Sequence, residues 1–335
     1  MKKLINKPSD FVKDVCEGIE CAYGDRLRFA DTEKRVLLRA TPAPKGKVGI
    51  VTAGGSGHLP VFLGYVGEGM LDGCTVGNVF ASPSAQKMED IIRACDFGAG
   101  VLCLYGNYGG DRMNFELACE SVEFDNIETK QVRVTDDISS SPAETAGKRR
   151  GVAGMVFAFK VAGAAADRML PLAEVAAAAE KALRNTRTMG VALSPCILPE
   201  VGKPSFTIAD NEMEIGMGIH GEPGIQTSKV LTAEDTVCTL LEKMDTELCF
   251  ADGDEVAVMV NGLGATPMEE LFILYRSVHA WFAARGVKVF MPHVGEFATS
   301  MEMAGASLTV MKLDDELKAY LRAPAITPFY TSLNK

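Results

Sequence analysis

Three side chains able to move protons stand in glycine-rich segments: His58 in TAGGSGHLP (52–60), Asp111 in NYGGDRMNF (107–115) and His220 in GMGIHGEPG (216–224). The chain has only four histidines, so half of them lie where glycine lets backbone approach a ligand closely. His58 and Asp111 could form an acid/base pair acting on a hydroxyl. Asp111 precedes RMNFELA and fits a helix N-cap equally well, and spacing does not separate the two readings. Around His220, Gly218 and Gly221 are expected to clear space for the ring, and Glu222 lies within reach of a hydrogen bond. The competing reading is a turn imidazole bonded to a neighbour. His279, inside LFILYRSVHAWFAA, and His293, after Pro292 at a strand end, read as structural.

The elements that must position these residues alternate. VGIVTA (48–53), AGVLCLYG (99–106) and QVRVTDD (131–137) read as buried strands, the last ending in two acids. Helices are expected at 8–20, capped by Ser9 or Asp10, and at 84–94 and 112–123. In such α/β sheets ligands sit outside the carboxyl ends of strands, and His58 and Asp111 both fall there. Two Ala-rich helices, 151–169 and 171–186, are separated by Pro171. A second series of strands follows at 190–198, 214–219, 255–261, 287–295 and 307–313, with helices at 232–246 and 267–285. The expected organisation is two α/β domains, 1–187 and 188–335, with mostly parallel or mixed central sheets flanked by helices. The tail, 323–335, reads as an extended arm.

Composition narrows the function classes. A net charge of −10, with GKRRG (147–151) as the densest basic run, argues against a nucleic-acid partner. The charged N-terminus lacks the apolar stretch of a signal peptide. The most apolar window, 152–166, is interrupted by Lys160 and falls short of a membrane span. Nine scattered cysteines without a CxxC pair read as reduced thiols, and so as cytoplasm. No two Cys or His have zinc-ligand spacing, and no metal site is expected. A Walker A motif is absent, and GGSGHLPVF puts His and Pro where a dinucleotide fingerprint needs its third glycine.

Together GGSGH (54–58), NVFASPSA (78–85), NYGGDRMNF (107–115), KRRGVAG (148–154), GKPSFTIADNEMEIGMGIHGEPG (202–224) and NGLGATPMEEL (261–271) resemble the dihydroxyacetone kinase K subunit family, in order along nearly the whole chain. The resemblance implies a homodimer of two-domain α/β chains that binds dihydroxyacetone or a related ketose. It implies that His220 attacks the ketone and holds the substrate as a hemiaminal. His58 and Asp111 match the acid/base residues for the terminal hydroxyl that receives phosphate, and Gly55, Ser56 and Gly57 the loop lining the substrate. Such a covalent link fixes a small substrate in one pose and selects ketones over polyols. The nucleotide, ATP or ADP with Mg, is expected on a separate L subunit, recharged in some members by a phosphotransferase-system protein. None is expected on this chain itself.

Three positions depart from the family pattern. Leu59 replaces an acid after His58, Gly262 replaces an Asn, and Gly106 stands where a substrate-contacting Lys is usual. Losing that Lys removes a donor and opens space, which favours a somewhat larger ketose such as erythrulose. The rival reading is a non-catalytic, ketose-sensing coactivator, which would be expected to have lost part of the His58, Asp111 and His220 set.

Overall fold

The first six strands of the computed structural model, which describes residues 2–333, are β1 (Leu27–Phe29), β2 (Val36–Arg39), β3 (Gly49–Ser56), β4 (Gly73–Val79), β5 (Val101–Gly106) and β6 (Thr129–Val134). They form one sheet in the order β1-β2-β4-β3-β5-β6. β4, β3, β5 and β6 run parallel, and β1 and β2 add antiparallel at one edge. Helices α1 (Phe11–Tyr23), α2 (Ala85–Ala94), α3 (Gly109–Glu123), α4 (Met155–Asp167) and α5 (Leu172–Arg184) accompany this sheet. Met88, Ile91 and Ile92 of α2 and Phe115 and Ala118 of α3 join Val51, Ala53, Cys103 and Tyr105 in one apolar cluster. β5 is buried along its whole length, as expected of a parallel strand covered on both faces. α4 packs on β3 and β5 with every residue from Met155 to Ala166 buried, Lys160 included.

A second sheet takes β7 (Thr186–Ser194), β8 (Glu212–Ile215), β9 (Gln226–Lys229), β10 (Glu255–Gly262), β11 (Lys288–Gly295) and β12 (Ala304–Leu313) in the order β11-β10-β12-β7-β8-β9. Only β10 and β11 are parallel, and the other four pairings are antiparallel. The reason lies in the connections. Residues 296–303 contain no helix, and a parallel return needs a crossover of about a dozen residues or more. α6 (Ala233–Leu248) and α7 (Met268–Ala283) cover this sheet through Leu240, Met244, Trp281 and Phe282, packed with Val258 and Leu308. The protein is thus an α/β chain with two mixed sheets flanked by helices. Among the described residues, no helix is long and apolar enough to cross a membrane.

The two compact units differ from a single cut between 187 and 188. The first comprises the chain through Val134, Met155–Ala182 and the tail from Lys318; the second comprises Thr135–Gly154 and Leu183–Leu317. Hydrogen bonding explains both exchanges. Asp137 and Thr188 form a bridge, which carries the 135–154 segment into the second sheet's unit. α8 (Asp315–Leu321) is held by the buried Lys160, whose Nζ donates to Tyr320 O at 2.8 Å. The tail then folds into a short hairpin, β13 (Ala325–Ile326) with β14 (Thr331–Ser332), and Glu68 bridges Ile326. The expected extended arm is therefore paired within the described residues; its last two positions lie outside them. Asp10 occupies the cap position of α1 without a side-chain cap bond, whereas Ser84 caps α2 and Thr232 caps α6.

One buried ion cluster fastens the first sheet at the end opposite its strands' carboxyl termini. Asp72 accepts from Arg39 at 3.0 Å, from Lys47 at 2.5 Å and from the Ile50 amide at 3.0 Å. Lys47 is 1% exposed and Asp72 2%, so removing the carboxylate leaves the buried ammonium with the longer 3.6 Å contact to the part-exposed Asp167. Asp72→Asn should lower unfolding free energy by about 3 kcal/mol, read by urea denaturation.

Candidate active site

β3 ends at Ser56, and the chain then turns through Gly57 at φ +103°, a conformation that favours glycine. The turn buries His58, whose ring stacks on Phe80 at a centroid distance of 4.8 Å, with Phe62 edge-on at 6.4 Å. The neighbouring glycines permit this packing. A Cβ at Gly55 would lie 2.7 Å from Ala81 N, and one at Gly54 would lie 2.0 Å from the Phe62 ring. Here glycine admits the protein's own 80–81 turn. Ser56 Oγ donates to Gly77 O at 2.7 Å, joining the ends of β3 and β4.

β5 ends at Gly106, and α3 starts three residues later. The cap position is Tyr108, and Asp111 sits buried within the first turn, so the N-cap reading of Asp111 is corrected. A carboxylate there is favoured by the amide dipoles of the helix start. Asn114 Nδ2 donates to Pro83 O at 2.7 Å and ties α3 to the turn that follows β4. β3 and β5 are parallel neighbours, with Gly49 opposite Val101 and Val51 opposite Cys103. Their carboxyl ends therefore share one sheet edge. Gly55, Ser56, Gly57, His58, Gly106 and Asp111 all lie on or just beyond the ends of these two strands.

His220 belongs to the second unit, in the turn between β8 and β9. Its ring Nδ1 lies 2.9 Å from Glu222 Oε1, and its backbone N–H donates to Glu222 Oε2 at 2.9 Å. One carboxylate thus holds both the ring and the chain that carries it. Ser300 Oγ donates to Ile219 O at 2.5 Å from beneath. Gly221 takes φ +84°. Gly218 does not clear the ring: a Cβ there would lie 2.2 Å from Glu222 Oε2 and 2.4 Å from Arg150 Nη1. It makes room for the carboxylate and a guanidinium. Burial alone would raise the Glu222 carboxyl, but the His220 hydrogen bond and charge, with Arg150, outweigh it and bring it down to about 2.

His279 is exposed on α7 beside Tyr275. His293 lies in the edge strand β11 against Phe297, and burial lowers it to about 4, which keeps it neutral. Among the described residues, no three His, Cys, Asp or Glu side chains are grouped to hold a metal ion. Sequence reading missed Arg150, Asp137 and Ser300 as neighbours of the His220 turn; KRR and DD were visible, but not what they face.

With this geometry in view, comparison with known proteins is specific. The Dak1 domain matches residues 17–329, and the chain belongs to that family. It is 43% identical over 330 residues to the dihydroxyacetone-binding subunit DhaK of PTS-dependent dihydroxyacetone kinase 2 of Listeria innocua, covering 98% of this chain and 99% of that one. It is 44% identical over 330 residues to the D-erythrulose kinase of Mycolicibacterium smegmatis, covering 98% of this chain but 56% of that longer protein. The solved dihydroxyacetone kinase operon co-activator Dha-DhaQ superposes with a TM-score of 0.89 at 30% identity, covering 96% of this chain and 98% of that one.

The Glu222 shift has a sign. Its folded value lies below the ordinary 4.5, so its contribution to stability is fully present above that pH and is lost as pH falls toward 2. Discounted for partial exposure, the stability gap between wild type and Glu222→Gln should be about 1–2 kcal/mol at pH 7. It should close between the two values, read by urea titrations across that range.

Proposed function

We propose that this chain is the ketose-binding subunit of a dihydroxyacetone kinase-type phosphotransferase, holding dihydroxyacetone or a slightly larger ketose on His220. The carrying observation is the carboxylate of Glu222 against His220 Nδ1 at 2.9 Å. An ionised Glu222 accepts the Nδ1–H, and in that tautomer the lone pair sits on Nε2. Nε2 adds to the ketone carbon, and the carbonyl electrons move to oxygen. Glu222 steadies the positive ring until its Nδ1 proton is released and the new alkoxide is protonated. The product is a hemiaminal containing every ketose atom. Fixing so small a ligand covalently supplies a pose that contact area alone would not.

His58 and Asp111 take the proton of the terminal hydroxyl as it attacks phosphorus. Their places at the carboxyl ends of adjacent parallel strands support that role, with Gly55, Ser56, Gly57 and Gly106 lining the substrate. The nucleotide, ATP or ADP with Mg, belongs to an L-type partner subunit, and the PTS-dependent relative supports a phosphotransferase-system donor behind it. The chain acts as a homodimer in the cytoplasm. The likeness to Dha-DhaQ keeps a ketose-sensing coactivator as the second reading. The presence of His58, Asp111 and His220 together favours the kinase.

With 2-13C dihydroxyacetone, the wild type should show the ketone signal replaced by a tetrahedral carbon, and an intact mass raised by one whole ketose. His220→Ala should show neither; absence of an adduct in the wild type would overturn the covalent role. Asp111→Asn and His58→Asn should keep the adduct and lose phosphoryl transfer about 10²-fold or more in the presence of an L-type subunit. Unimpaired transfer would remove them from the chemistry.

Gly106 bears on substrate size. It is the buried last residue of β5, on the strand-end edge beside Asp111's helix. kcat/KM for erythrulose should equal or exceed that for dihydroxyacetone, and Gly106→Lys should shift the ratio toward dihydroxyacetone. A strong wild-type preference for dihydroxyacetone sinks the larger-ketose reading.

A further inference from the structure

Glu222 is half-exposed on a turn, and its two bonds to His220 need a reason to persist. Arg150 supplies one. Its Nε donates to Asp137 Oδ2 at 2.8 Å, and its Nη2 reaches the same carboxylate at 2.8 Å. Nη2 also donates to Gly216 O at 3.2 Å, and Nη1 lies 3.8 Å from Glu222 Oε2. Asp137 is fixed in turn. It accepts the Ser139 amide at 3.0 Å, shares the Ser139 hydroxyl with Gly216 O, and its own N–H donates to Arg150 O at 3.1 Å. The guanidinium is thus clamped on one side by a buried acid and presents its free edge to the other.

Two glycines admit this arrangement. A Cβ at Gly216 would lie 2.6 Å from Ser139 Cβ, and one at Gly218 would occupy the gap between Arg150 and Glu222. The titratable and charged groups that face Glu222 are His220, charged when protonated, and Arg150, which is itself neutralised by Asp137.

We propose that Arg150, anchored by Asp137, is a positioning residue for His220: it keeps the Glu222 carboxylate aimed at Nδ1–H, and so selects the ring tautomer with its lone pair on Nε2. The role in catalysis rests on His220 being the nucleophile; the effect on the ring does not. Arginine suits the task because its planar fork serves Asp137, Gly216 O and Glu222 at once, which one ammonium does not.

The test uses the ligand-free chain. The 15N shifts of the His220 ring report its tautomer, and the 13C shift of the Glu222 carboxyl reports the pH at which it protonates. Wild type should show Nδ1–H. Arg150→Gln should raise the Glu222 midpoint by about one unit, because an opposite charge is lost. It should also bring in the Nε2–H tautomer. Arg150→Lys should restore the midpoint partly and the tautomer less. Gly218→Ala, which retains every charge, should reproduce the tautomer change, and Asp137→Asn, which leaves Arg150 charged but unanchored, should reproduce the tautomer change without raising the Glu222 midpoint should Arg150→Gln not fold. With 2-13C dihydroxyacetone, adduct formation should slow about tenfold or more in Arg150→Gln. An unchanged tautomer and midpoint in Arg150→Gln overturn the proposal. A changed tautomer with no adduct in wild type supports the positioning role and overturns the hemiaminal reading alone.

Discussion

Two adjacent carboxylates buried just beyond β6 organise the second unit's approach to its histidine turn. Asp136 accepts the amides of Val152 at 2.8 Å and Gly154 at 2.7 Å, and Asp137 takes the Arg150 guanidinium. Burial raises both carboxyls, and the donors around them work against that shift. A carboxylate so placed is tolerable only while its donors remain, so the 149–154 segment is bound to lie along 135–140. The preceding guanidinium points elsewhere: Arg149 forks onto Glu247 at 2.6 and 2.8 Å, where Arg187 also arrives. Neighbouring side chains thereby lock one segment to two different elements.

This gives the second unit a construction unlike the first. In the first sheet, the parallel register of β3 and β5 alone carries Gly57, His58 and Asp111 to one edge. In the second, antiparallel strands set no such common edge, and the His220 turn, carried by the β8–β9 pair, is fixed by side chains as well. Glu222, Arg150, Asp137 and Ser300 add to the strand pairing what register alone supplies in the first sheet.

That contrast explains what was legible in the sequence. The long apolar strands were readable from composition and length, and so was the coincidence of His58 and Asp111 with strand ends. The order of the motifs is enough to identify the family. Short or polar strands such as β1, β2 and β9 carry too few residues or too little alternation to be seen. β4 hides behind two glycines. The antiparallel entry of β12 depends on a helix-free connection, which the strand's own residues do not encode. Arg150 meets Glu222 across 72 positions (222 − 150) with no periodic trace, so the acids and arginines were visible as types but not as partners. Gly218 was misread for the same reason: its purpose is set by atoms distant in sequence. The basic run GKRRG, too small to outweigh the acidic balance of the chain, is turned inward onto acids through its two arginines.

Gly218 also bears on how this turn could change over generations. Any side chain there collides with Glu222 or Arg150, while shortening either of those leaves a gap and a lost charge contact. The three positions are coupled by volume and charge together, so their substitutions are epistatic. A side chain at 218 is accommodated only by moving the Glu222 carboxylate or the Arg150 guanidinium away from the ring. Simultaneous changes at 150, 218 and 222 are a route to a differently supported histidine.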